Sequence, residues 1–100
     1  MKPLKEKSSY LIGVISDTHG KLSISAQNAF QKTDLIIHAG DIDSKDVLEK
    51  LESIAPTIAV RGNMDFKPGV NSLNKTETIQ VGDANIHIRH ILDNTNTQRV

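Results

Sequence analysis

One hundred residues make one small domain, which buries roughly two thirds of the surface its unfolded chain exposes. Twelve Lys and Arg balance twelve Asp and Glu, so the formal net charge is zero, and no nucleic acid or anionic membrane is recruited by overall charge. Cysteine is absent, which excludes disulfides and thiolate metal sites; no apolar run reaches transmembrane length, and a cytoplasmic location is expected.

Residues Met1 to Ser9 are polar and lysine-rich and read as a loose basic tail without the apolar stretch of a secretory signal. The domain is expected over residues 10–100. Tyr10 to Ile15 is a nearly continuous apolar run, which predicts a strand buried on both faces, as in parallel sheets. Leu22, Ala26, Ala29 and Phe30 fall at helical spacing and predict a helix over residues 22–31. Leu35 to Ala39 reads as a second buried strand. Ser44 caps a predicted helix running to Ser53, with Val47, Leu48 and Leu51 on one stripe. Pro56 separates it from a third strand, Thr57 to Val60.

Strand, helix, strand, helix, strand is the rhythm of a parallel sheet, in which ligands collect outside the carboxyl ends of the strands. After a Pro- and Gly-containing loop from Lys67 to Asn74, Thr76 to Val81 and Asn85 to His90 flank Gly82-Asp83-Ala84 and predict a hairpin. The two-residue period puts Ile86, Ile88 and His90 on one face, so His90 is expected to point inward at a strand end and His87 outward. Residues 94–100 carry no predicted element.

Each of the three parallel strands ends in a polar cluster: Ser16-Asp17-Thr18-His19-Gly20, Gly40-Asp41, and Arg61-Gly62-Asn63-Met64-Asp65. Taken singly, Asp-x-His, Gly-Asp and Gly-Asn-x-Asp are ordinary turn elements. At three successive strand ends they offer carboxylate, imidazole and amide ligands to one place. That mixed oxygen and nitrogen set suits Mn²⁺, Fe²⁺, Zn²⁺ or Co²⁺ and does not choose among them. Glycine before Asp41 and before Asn63 leaves room for charged groups to approach.

These clusters resemble the first three motifs of the calcineurin-like metallophosphoesterases, in particular a branch of small bacterial and archaeal phosphodiesterases. The resemblance runs from about Leu11 to His90. It implies an α/β fold, the N-terminal part of a four-layer α/β/β/α sandwich, with parallel βαβαβ followed by a β-hairpin. It also implies a centre of two divalent metal ions, Mn²⁺ favoured, with Zn²⁺, Fe²⁺, Co²⁺ or Ni²⁺ as alternatives. Carried over motif by motif, Asp17 and His19 bind one metal, Asp41 bridges both, and Asn63 binds the second. His90 stands where the family has its next ligand histidine, although Ile91 follows where glycine is usual. His38 matches a family residue that is not a ligand and reads as a buried structural histidine. Asn63 and Arg61 are candidates for phosphate contact, Arg61 equally for a structural ion pair.

The implied activity is hydrolysis of a small phosphoester, a diester by resemblance, through water activated by the metals at Asp17, His19, Asp41 and Asn63. Two departures stand out. Met64 occupies the place where many members carry a histidine that protonates the leaving group, so no general acid is assigned. The family's Gly-His-x-His motif is absent from the 100 residues, so the domain is expected to be incomplete at its C-terminus, with weaker metal binding and part of its core uncovered. A fragment, a truncated product, a homo-oligomer and a half completed by another chain all fit. The alternative function is a metal-binding or protein-interaction scaffold of low activity, as in the family's retromer subunit. A flavodoxin-like sheet explains Asp17 and Asp41 but not His19 with Asn63.

Overall fold

The computed structural model describes residues 9–63 and 65–90. The expected basic tail, apart from Ser9, and residues 91–100 lie outside the described residues.

Five strands and two helices follow in the order β1 (Ile12–Ile15), α1 (Ile24–Ala29), β2 (Leu35–His38), α2 (Lys45–Glu52), β3 (Thr57–Ala59), β4 (Thr76–Val81) and β5 (Ala84–Arg89). Strands β1, β2 and β3 form a parallel sheet in that order, with Ile12 opposite Leu35 and Ile36 opposite Thr57. Strands β4 and β5 form a separate antiparallel hairpin, in which Val81 faces Ala84 across a two-residue turn. The apolar runs and the alternating hairpin strands thus become the parallel and antiparallel elements their patterns predict.

The central strand β2 has all four residues buried. Its side chains point alternately to two cores. Ile36 faces the helix side and packs with Leu22, Phe30, Val47 and Leu51, while Leu35 and Ile37 face the hairpin side and pack with Val60, Val81 and Ile88. Three layers result among the described residues: helices, parallel sheet, hairpin. Val70, from the loop after β3, is fully buried in the helix-side core, which anchors a segment without regular structure.

Two expectations need correction. Strand β1 is not buried on both faces, because Val14 is 64% exposed and Leu11, just before the strand, is also exposed. Val14 pairs with Ile37 and so shares the face that the hairpin covers over β2. Among the described residues, the two hairpin strands leave this part of the face exposed. Helix α1 is also shorter than its periodicity predicts. Ser23 caps it by accepting from the Ala26 N–H, which places Leu22 before the helix, and Ala29 is exposed. Leu22 and Phe30 are nevertheless buried, flanking the helix rather than lying within it. Helix α2 starts and stops where its serines predict, with Ser44 accepting from the Asp46 N–H and Ser53 at the C-cap.

Candidate metal centre

The carboxyl ends of the three parallel strands converge, and backbone hydrogen bonds lock the loops together. The Asp17, His19 and Gly20 N–H groups donate to the carbonyls of Gly40, Asp41 and Ile42, at 2.9, 3.0 and 2.7 Å. This register holds Asp17, His19 and Asp41 at φ values of 58°, 49° and 59°, a left-handed conformation that costs a non-glycine residue of order 1–3 kcal/mol. Strain of that size persists only where surrounding structure enforces it, and the interlocked loops do so.

The third loop supplies the enforcing group. Asp65 is 1% exposed, and its carboxylate accepts four backbone N–H bonds, from Asp41, Ile42, Asp43 and Gly62, at 2.7–3.0 Å. It therefore ties the loop after β2 to the loop after β3 and fixes the backbone that carries Asp41. Sequence reasoning quoted Asp65 within its motif but gave it no role, because three of the four N–H groups it accepts lie 22–24 residues away.

The two glycines beside the acidic loops are required by close approach. A Cβ on Gly62 would overlap the Asp41 backbone nitrogen and Oδ1, and a Cβ on Gly40, which itself has φ 107°, would lie 2.7 Å from the His90 ring.

Three side chains meet in the resulting cleft. His90 Nε2 lies 3.2 Å from Asp41 Oδ2 and 3.8 Å from Asp17 Oδ1, and one ligand atom from each residue fits within 4.8 Å of the others. His90 Nδ1 lies 2.6 Å from the Ala39 carbonyl, which has no proton to give, so Nδ1–H donates. In the neutral ring Nε2 is then an unprotonated lone pair facing two carboxylates. Ser16 Oγ donates to Asp17 Oδ2, leaving Oδ1 turned toward the imidazoles. Lone pairs gathered in this way repel unless a positive charge sits among them, so the donor set fits a cation, and a ligand histidine fixed by a carbonyl on its other nitrogen is the usual arrangement.

The other predicted residues stand around this core. His19 is exposed, with Nε2 3.9 Å from Asp17 Oδ1, and does not enter the tight group. Asn63 is exposed and lines a cavity of about 430 Å³ together with Arg61, Gly62 and His90. Arg61 also donates from Nη1 to the Asn71 carbonyl at 3.3 Å. His87 is exposed and bonds Thr78, on the hairpin face opposite His90, as its period predicts.

His38 is fully buried, in keeping with the structural reading. Its Nδ1 accepts from the Gly40 N–H at 3.1 Å, so Nε2–H points to Thr18 Oγ1 at 2.9 Å. Burial lowers its pKa from 6.5 to about 4, against the opposing pull of the Asp65, Asp17 and Asp41 carboxylates. The neutral ring is thus a strut between the first two loops.

The calcineurin-like phosphoesterase superfamily domain matches residues 10–100. The chain is 39% identical over 85 residues to a probable metallophosphoesterase of Methanocaldococcus jannaschii, covering 80% of this chain and 42% of that protein. It is 42% identical over 81 residues to another from Methanothermobacter thermautotrophicus, covering 72% and 47%. Among solved structures, a Vps29 variant from Entamoeba histolytica superposes with a TM-score of 0.67 at 21% identity, covering 87% of this chain and 48% of that one. A conserved predicted phosphoesterase from Streptococcus pneumoniae gives 0.57 at 24% identity, covering 80% and 44%. The chain therefore spans about half the length of the curated relatives it matches. With the domain match running from residue 10 to residue 100, this chain belongs to the calcineurin-like phosphoesterase superfamily.

Proposed function

We propose that the centre hydrolyses small phosphoesters, diesters by preference, with two divalent cations of which Mn²⁺ is favoured. Asp17 and His19 would hold one cation, Asn63 and His90 the other, and Asp41 both. The observation that carries this reading is the convergence of Asp17, Asp41 and His90 on one point. When bound, such cations make water nucleophilic near neutral pH and offset charge on phosphoryl oxygens.

The chain's own residues prepare that chemistry. Asp65 and the interlocked loops hold the two acidic side chains before any ligand arrives, so little reorganisation is needed on binding. Ala39 keeps the His90 tautomer. Arg61 and Asn63 line the adjoining cavity, where the ester's phosphoryl oxygens are received.

The test is cleavage of bis-p-nitrophenyl phosphate with Mn²⁺, run beside the Methanocaldococcus relative. Turnover that disappears in Asp41→Asn supports the reading; an active relative beside an inactive chain overturns it. A second reading, an interaction scaffold, draws on the uncovered inter-sheet face at Val14. Calorimetry separates the two: absence of Mn²⁺ and Zn²⁺ binding at micromolar levels leaves only the scaffold.

A further inference from the structure

A cavity lies beside the candidate centre. Its walls include Arg61, Asn63, Phe66, Lys75, Arg89 and His90. Three of these are cationic in a chain whose net charge is zero. The single carboxylate, Asp65, is turned into the protein by its four N–H bonds. Positive charge is therefore concentrated where the rest of the molecule has none to spare. Lys75 directly precedes Thr76, which pairs with Arg89, so both ends of the hairpin reach this wall.

The fourth feature is Phe66. The chain has only three aromatic residues, and this one is 70% exposed on the cavity wall, while Phe30 is buried in the helix-side core. An exposed ring beside three cations offers what a nucleotide needs: a face for a base to stack on and donors for an anionic phosphate. The volume, about 430 Å³, lies at the small-molecule scale, and overall neutrality argues against a long polyanion.

We infer that this cavity is a nucleotide subsite, with the base on Phe66 and the phosphate held among Arg61, Lys75 and Arg89. Resting on the phosphoesterase reading, it makes the substrate a nucleotide ester. Because His90 and Asn63 belong both to the cavity and to the candidate ligand set, a nucleotide seated here lies against the centre.

The subsite can be read without the metal. The whole chain, in EDTA, is titrated with AMP, adenosine and ribose 5-phosphate, following backbone amide NMR signals. The expected result is saturable shifts at Phe66, Lys75, Thr76 and Arg89, with AMP binding about tenfold tighter than either of the other two. Phe66→Ala brings AMP down to the level of ribose 5-phosphate, and the double variant Lys75→Ala, Arg89→Ala brings it down to that of adenosine. Equal affinity of AMP and ribose 5-phosphate overturns the stacking role, equal affinity of AMP and adenosine the anion site, and no saturable shift both. These comparisons stand on the wild-type chain alone. Failure of the phosphoesterase reading shows instead in the Mn²⁺ calorimetry, which involves no nucleotide.

Discussion

The loops after β1 and β2 and the hairpin β4–β5 both deliver candidate ligands to one cleft, yet they hold them by opposite means. The loops are irregular, carry four non-glycine residues at positive φ, and are tied by buried backbone bonds. The hairpin is regular and delivers His90 through packing, with one carbonyl contact to fix the ring. Carboxylate geometry is therefore set by hydrogen bonds within the parallel unit, and imidazole geometry by the docking of two layers. The two should fail independently.

The sharpest way to break the comparison is Asp65→Ala. It strips the acceptor from four backbone N–H groups, each costing of order 1–3 kcal/mol when left buried and unsatisfied. Partial access of water to Gly62 and Asp43 lowers that sum, and a loss of about 4 kcal/mol is expected. For a domain of this size that is a large share of total stability. Urea unfolding would measure it, and a loss below about 1 kcal/mol would remove Asp65 from its central role. Asp65→Asn, which keeps an acceptor, should retain part of the stability.

On the hairpin side, Ile88→Ala leaves a cavity between Leu35, Ile37, Val60 and Val81 and should cost about 3 kcal/mol. Its signature differs from that of Asp65→Ala. The amides of Asp41 to Asp43 should keep their protection from hydrogen exchange while the His90 ring signals broaden. Loss of both together would show that the loops also depend on the hairpin.

His38 tests the loops through pH. Its folded pKa, about 4, lies below the unfolded value of 6.5, so the unfolded chain binds the extra proton between these limits. Stability is therefore fully present above pH 6.5 and declines as pH falls toward 4. Between pH 7 and 5 the decline should reach about 2 kcal/mol, and His38→Asn should flatten it. Denaturation measured in chelator at both pH values checks this; equal slopes for the two proteins would reject the assignment.

How much of this was legible depended on whether the cause was local. β2 could be read because Leu35, Ile36 and Ile37 are successive apolar residues, and α2 because Ser44 and its apolar stripe lie within one helix length. His90 could be placed on the inner face because strand period is a local property. The exposure of Val14 was not legible, since it depends on how many strands cover the sheet. Nor was Asp65, whose partners Asp41, Ile42 and Asp43 lie 22–24 residues away. The basic cavity was hidden for the same reason: Arg61, Lys75 and Arg89 come from the loop after β3 and from both sides of the hairpin.

The smallest expected effect sharpens what the interlocked loops owe to the helix that follows them. Ser44 closes the loop after Asp41 and caps α2, its Oγ accepting from the Asp46 N–H at 3.1 Å. Ser44→Ala removes that acceptor and should cost about 1 kcal/mol, the usual value of a cap. Ile42 and Asp43 are meanwhile held by Asp65 from the other side. If the carboxylate alone fixes the loop, the loss should appear in α2, as faster exchange of the Asp46 and Val47 amides, with no change in exchange at Ile42. A slowly exchanging Ile42 amide in both proteins would place the whole of the loop's order on Asp65. Faster exchange there would mean that the first turn of α2 is part of the same clamp.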